Sequence, residues 1–324
     1  MPGSVPAVVL DCDPGIDDTL ALIYLAGLHT AGAIRLAGVT TSAANARWIL
    51  QHCAEHILDD VTVVAGHTTP SVRPLTTTPE THGEFGLGYA RAPQAIYDQE
   101  PSRNWDTVWR DAVGEHEQTH LIVTGPLTNA ADFAARYPAD MASFKSVTVM
   151  GGAVNYRGNT TPTAEWNFWI DPHAARDYFS QTPVEDGPLT TLCSLEQTEQ
   201  MLLTPVRFRT LLEALGNNPV ADILPEIVPF YFKFHDAQGE GYQAQIHDLL
   251  TCLIALGRAD YRAVDTTIAV EADSELLLGT SVADLRAHWD TALNTHLVRE
   301  VDIPQAFEEV FRTLAHLDPA RHNS

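Results

Sequence analysis

Ala7-Val8-Val9-Leu10-Asp11-Cys12-Asp13-Pro14-Gly15-Ile16-Asp17-Asp18 decides how the chain is read. Ala7 to Leu10 is a short apolar run, the mark of a buried strand. Pro14 and Gly15 interrupt it, and Leu20 to Leu28 then reads as an apolar helix. Asp13 stands where that helix would take its N-cap, with Pro14 at the first helical position. Asp11, Asp13, Asp17 and Asp18 therefore crowd into one strand-to-helix turn. In an open α/β sheet such turns lie at the carboxyl ends of strands, where ligands bind. Carboxylates this close repel one another unless positive charge sits among them. A helix N-terminus supplies part of that charge, and a hard cation held by oxygen ligands supplies more. Capping and turn roles alone would explain one Asp beside a proline better than they explain four.

The composition sets the outer bounds. The 324 residues suffice for one α/β domain with a large core, and neither a repeat nor a linker divides them, so residues 1–324 read as a single domain. Apolar residues make up 45% and charged residues 19%, the balance of a globular protein in water. The formal charge is −23, which disfavours nucleic acid and anionic membrane surfaces as partners. Met1 to Pro6 has neither the basic residue nor the apolar stretch of a secretory leader, and no apolar run has bilayer length. Cys12, Cys53, Cys193 and Cys252 are far apart and sit in or beside apolar segments, as buried thiols of a reducing cytoplasm do. The expected location is cytoplasmic.

Outward from the first stretch, strands and helices alternate. Ile34 to Thr41 and Val61 to Ala65 read as strands, with Ala46 to Leu58 a helix between them and Asn45 at its N-cap position. Further strands are expected at Thr119 to Thr124, Val147 to Met150 and Leu189 to Leu192. Helices are expected at Thr107 to His116, Ala130 to Tyr137, Thr204 to Leu215, Leu249 to Leu256 and Phe307 to Leu317. Ala221 to Phe234 reads as a helix broken by Pro225 and Pro229, and Thr266 to Val270 and Glu275 to Leu278 as late strands. Such alternation predicts a mostly parallel sheet built from βαβ units, with helices on both faces. Gly66 to Pro101 is rich in Thr, Pro and Gly and lacks a period, which suits a functional lid or a disordered loop.

Several loops carry polar clusters. Gly158 to Asn167 holds Asn159, Glu165 and Asn167 beside Trp166, a set of donors, acceptors and apolar wall suited to a polyhydroxylated ligand. His82 stands in His82-Gly83-Glu84-Phe85-Gly86-Leu87, and His247-Asp248 opens a late helix. The aromatic run Phe230, Tyr231, Phe232 and Phe234 suits core packing better than ligand contact, though it precedes His247-Asp248 closely.

Taken in order, Asp11 to Asp18, Thr40 to Asn45, His82 to Leu87, Gly125-Pro126-Leu127-Thr128-Asn129, Gly158 to Asn167 and His247-Asp248 resemble the motifs of the nucleoside hydrolases of the inosine-uridine-preferring type. Ala44 stands where that family usually has Gly, and Trp166 where it usually has Phe. The resemblance runs from Val8 to about Phe311. It implies an open Rossmann-like fold, a calcium ion, a small ribonucleoside as substrate, and a homodimer or homotetramer. It also implies hydrolysis of the N-glycosidic bond to ribose and free base. In that scheme Asp13 ligates calcium and is the general base toward a calcium-bound water, and Asp18, Asp248 and the carbonyl of Thr124 complete the protein ligands. Asp17, Asn45, Met150, Asn159, Glu165, Asn167 and Asp248 are the implied substrate-side residues. His247 is the implied acid for the departing base, with His82 beside it.

Two other classes share parts of the pattern. A phosphatase of the haloacid dehalogenase type also places Asp-x-Asp after a strand, but gives Asp17-Asp18, Asn159 to Asn167 and His247-Asp248 no task. A non-catalytic calcium-dependent nucleoside-binding protein would not need every polar position of a hydrolase, and all are present.

Overall fold

A computed structural model describes residues 5–41, 43–97 and 103–321. Most of the leader reading at Met1 to Pro6, the Ser42 position and the end of the Gly66 to Pro101 stretch lie outside the described residues. Six strands run first: β1 Ala7–Asp11, β2 Arg35–Thr41, β3 Thr62–Ala65, β4 Thr119–Val123, β5 Ser146–Met150 and β6 Thr190–Cys193. The short β7 Leu202–Leu203 and β8 Ala244–Gln245 follow, then β9 Tyr261–Thr266, β10 Ile268–Val270, β11 Ser281–Ala283 and β12 Thr295–Val301. Eight of them form one sheet in the order β3-β2-β1-β4-β5-β6-β12-β9. All neighbours are parallel except β12 and β9, which pair antiparallel at the edge. This is the single mostly parallel α/β sheet that the alternation predicts.

β1 is buried on both faces. Val8 and Leu10 join the apolar core on one side of the sheet and Val9 joins the core on the other. Helix Ile16–Thr30 seals the first side with Leu20, Ile23 and Leu28, and helix Trp105–Glu115 seals the second with Val108 and Trp109. The strand order reverses between β1 and β4, so their carboxyl ends open a crevice at a topological switch point.

Four local expectations differ from the structure. Helix Ile16–Thr30 takes Gly15, not Asp13, as its N-cap, so Pro14 is not its first residue. The start shifts because the Gly15 N–H donates to Asp18 Oδ2 at 3.2 Å and the Ile16 N–H to His82 Nδ1 at 3.2 Å. Asn45 does not cap helix Ala44–Cys53; Ala43 does, with φ at 23°, and Asn45 is the second residue of the helix. Pro225 and Pro229 do not break their helix, which runs unbroken from Val220–Ala237. Pro225, whose carbonyl loses its donor at Pro229, is exposed, so water can reach that carbonyl. Glu275 to Leu278 is no strand but a turn closed by Gly279 at φ 79°, with Leu276 exposed.

The 66–97 stretch is neither a free lid nor a loose loop. Asp171, fully buried and the N-cap of helix Pro172–Gln181, accepts from Ser71 N at 2.7 Å, Ser71 Oγ at 2.6 Å and Thr128 Oγ1 at 2.7 Å. Further on, Asn45 Nδ2 donates to Phe85 O at 2.8 Å and the Tyr89 N–H to Glu226 O at 2.9 Å. The segment is pinned to the start of helix Pro172–Gln181 at one end and to helix Val220–Ala237 at the other.

Candidate active site

The turn after β1 divides its carboxylates. Asp11 faces the protein: its Oδ1 accepts from Thr40 Oγ1 at 2.6 Å and Asn129 Nδ2 at 2.7 Å, which ties β1 to β2 and to the helix after β4. Burial pushes its carboxyl up to about 7. Asp13 is open to the crevice and backs onto Gly125, where a Cβ would lie 3.1 Å from Asp13 Oδ1. Asp17 and Asp18 enter from the first turn of helix Ile16–Thr30, and Asp248 from the first turn of helix His247–Ala255.

Asp17, Asp18 and Asp248 each bring an oxygen to within 4.8 Å of the others, all three side chains buried. Among the described residues no lysine or arginine pairs with them or with Asp13. Burial, then the charge of Asp18, pushes Asp17 up to about 7. Burial and the neighbouring carboxylates likewise hold Asp248 well above the usual range, the enclosing crevice walls and the charge of Asp18 do the same for Asp13 although it faces the opening, and burial raises Asp18. A cation among them would favour their deprotonated forms. The donors are all hard oxygens, which suits a hard cation and not a thiophilic one. This acidic cluster can hold a metal ion.

Thr124, Met150, Glu165 and Asn167 meet at the ends of β4 and β5. Asn167 Nδ2 donates to Thr124 O at 2.7 Å and to Met150 O at 3.2 Å, so one amide bridges both strand ends. Thr124 Oγ1 donates to Asp18 Oδ1 at 2.7 Å, which orients that carboxylate. Glu165 caps helix Trp166–Ile170, accepting from Asn167 N and Phe168 N, and also accepts from Gly152 N at 2.9 Å. Burial pushes it up to about 7 even so. Asn159 is exposed at the rim, where its Oδ1 accepts from Trp166 N at 3.0 Å.

Three histidines, His82, His235 and His247, line the same cavity. His82 Nδ1 accepts the Ile16 N–H, so its ring proton is on Nε2. Gly15 permits that approach, since a Cβ there would lie 2.8 Å from His82 Nδ1. His247 Nδ1 lies 2.8 Å from Thr198 Oγ1. The Thr198 hydroxyl is fully buried with no other acceptor among the described residues, so it donates and leaves His247 as the Nε2–H tautomer. Burial and the nearby His235 hold His82 down at about 4. Burial, His235 and His82 hold His247 down at about 3. Both rings are neutral donors near pH 7.

A cavity of about 520 Å³ joins these groups; Asp13, Asp17, Asp18, Thr124, Met150, Asn159, Glu165, Asn167, His82, His247 and Asp248 all line it. Asn45 does not. It lines a neighbouring cavity of about 460 Å³ that shares Asp13, His82 and Trp166 as a partition, and its amide nitrogen donates to Phe85 O and Pro14 O. Sequence reasoning missed His235, Glu240 and Gln245, which also line the first cavity, and read Tyr231 chiefly as core. The signal was Gly239-Glu240-Gly241 after an aromatic helix, too general to assign.

The model of the inosine-uridine preferring nucleoside hydrolase family matches residues 8–308. The chain is 29% identical over 302 residues to the pyrimidine-specific ribonucleoside hydrolase RihA of Photobacterium profundum, covering 91% of this chain and 94% of that one. Its counterpart in Shewanella sp. strain MR-7 is 32% identical over 284 residues, 86% of each chain. Among solved structures, the purine-preferring ribonucleoside hydrolase of Gardnerella vaginalis superposes with a TM-score of 0.82 at 22% identity, over 96% of this chain and 98% of that one. That likeness concerns the fold. The chain belongs to the family of inosine-uridine preferring nucleoside hydrolases, enzymes that cleave N-glycosidic bonds.

Proposed function

We propose that the protein hydrolyses pyrimidine ribonucleosides to ribose and free base with the help of one calcium ion. The observation that carries this reading is the buried trio Asp17, Asp18 and Asp248 in one cavity with Asp13 on one wall and neutral histidine donors on another. The names of the bacterial relatives at 29% and 32% identity support pyrimidines over purines. Asp13, Asp18, Asp248 and the Thr124 carbonyl would hold the ion. When bound, it polarises the attacking water and the sugar hydroxyls it touches.

The chain's own residues then have three tasks. Cleavage passes through an oxocarbenium-like ribose, as in other glycoside hydrolysis. Asp13, open to the cavity, takes the proton of the water that attacks the anomeric carbon. Asp17, Asn167 and Asp248 grip the 2- and 3-hydroxyl side, and Asn159 and Glu165 the 5-hydroxyl, contacts that favour the transition state where they tighten with ring flattening. Met150 supports the ribose floor. Asn45 acts through the Phe85 loop and Pro14, as a positioning residue. His247, the ring the motif resemblance casts as the acid, is the candidate donor toward the departing base, with His82 beside it; held neutral, each ring offers the base a hydrogen bond from Nε2–H, and the proton the base finally takes comes from solvent. The setting is a cytoplasmic homo-oligomer. The test is ribose release from uridine, cytidine and inosine by the purified protein: kcat/KM should be highest on a pyrimidine nucleoside. A higher value on inosine would overturn the pyrimidine assignment, and ribose release from none would overturn the hydrolase reading.

A further inference from the structure

One hydrogen bond beside the histidines fixes the polarity of a side chain that the mechanism does not use. Gln245 Nε2 donates to Glu240 Oε2 at 3.2 Å. A carboxylate only accepts, so the amide nitrogen of Gln245 must face Glu240 and its Oε1 must face away. Among the described residues no hydrogen bond reaches that Oε1, and Gln245 lines the cavity that holds the carboxylate trio. Glu240 fixes the adjacent ring in the same way. The Gln245 N–H donates to His235 Nε2 at 3.4 Å, so the ring proton is on Nδ1, which donates to Glu240 Oε2 at 2.7 Å. His235 has no donor or acceptor left for a ligand. Its ring packs on Tyr231 at 4.5 Å between centroids, and Tyr231 packs on His82 at 5.4 Å.

This wall offers a ligand a fixed donor, His82 Nε2–H, and a fixed acceptor, Gln245 Oε1, with aromatic surface between. A pyrimidine edge supplies the complement, a carbonyl oxygen beside an N–H. In uracil the single edge donor is N3–H, flanked by carbonyl oxygens. We propose that Gln245, oriented by Glu240, is the residue that reads the base, accepting N3–H of uridine. The inference rests on the ribonucleoside hydrolase reading and adds the edge of the base to it. Gln245 is the specificity residue and Glu240 a positioning residue.

The test compares kcat/KM on uridine, on 3-methyluridine, which lacks the donor, and on p-nitrophenyl riboside, which has no base edge. The wild-type protein should prefer uridine to 3-methyluridine by about tenfold or more, because the methylated base leaves a buried acceptor unpaired. Gln245→Ala should bring that ratio toward one, mainly through a higher KM for uridine. Glu240→Gln, the milder change, frees the Gln245 amide to flip and should lower the ratio in the same direction, so it decides the matter if Gln245→Ala does not fold. Both should lose more on uridine than on p-nitrophenyl riboside. A wild-type ratio retained in both variants, or equal losses on all three substrates, would overturn the role in base reading while leaving the hydrolase reading intact. A wild-type protein inactive on uridine would overturn both.

Discussion

At the residue scale, the account turns on what each carboxylate can do in its place. Asp11 accepts two protein donors and anchors β1, while Asp13, two residues on, is open to the crevice. Asp13→Asn should therefore cut kcat by roughly a hundred- to ten-thousandfold, the usual worth of a general base, with the fold retained. Near-normal turnover in a folded Asp13→Asn protein would remove Asp13 from the mechanism. His247 and Asp248 are neighbours with different tasks. His247→Ala should impair uridine hydrolysis and spare p-nitrophenyl riboside, whose leaving group departs without a proton. Asp248→Ala should impair both, because it opens the carboxylate trio. If His247→Ala loses equally on both substrates, that ring positions the sugar or the fold.

At the element scale, the site is assembled where helix Ile16–Thr30 begins. Its first N–H groups are used by Asp18 and His82, so one helix start orients a carboxylate on the metal side and a ring on the base side. Gly15→Ala probes this directly: the added Cβ would meet His82 Nδ1 at 2.8 Å and must displace the ring. The expected outcome is a clear loss of kcat/KM on uridine, a smaller loss on p-nitrophenyl riboside, and a melting temperature lowered only slightly. A Gly15→Ala protein with unchanged kinetics would show that His82 need not hold this position. The parallel strands and this turn were legible because apolar runs and a dense carboxylate motif are local signals. The unbroken helix Val220–Ala237 was not, since prolines tolerated on an outer face look the same in sequence as prolines that break. Nor was the union of His235, Glu240 and Gln245: it depends on how β8 folds back beside that helix, a packing event with no sequence period.

At the scale of the whole molecule, the strand order explains why distant segments converge. The turn after β1, Thr124 after β4 and Met150 at the end of β5 come together at the carboxyl edge, and helix His247–Ala255 brings Asp248 in from far along the chain. Six short motifs in order made that convergence readable, while the cap of the first helix and the surroundings of Asn45 had to be seen. The buried carboxylates also couple metal, protons and stability. Asp17 is held at about 7 in the metal-free fold, chiefly by burial, against about 4 for a carboxyl of the unfolded chain. Between these pH values the metal-free fold keeps a proton that the unfolded chain has lost, so this contribution to stability falls as pH rises through the window. Calcium takes the deprotonated form, so the rise in melting temperature on adding calcium should grow from pH 4 to pH 7. A calcium effect that shrinks over that range would contradict the buried carboxylate cluster as the binding site.

The central claim, that this crevice works on ribonucleosides through a cation held by Asp13, Asp18, Asp248 and the Thr124 carbonyl, is tested most directly by titrating metal back into chelated protein. Ribose release from uridine would be followed as calcium is added to protein freed of metal. The account expects negligible release without the ion and full activity at one calcium per chain. Full activity in thoroughly chelated protein would contradict it.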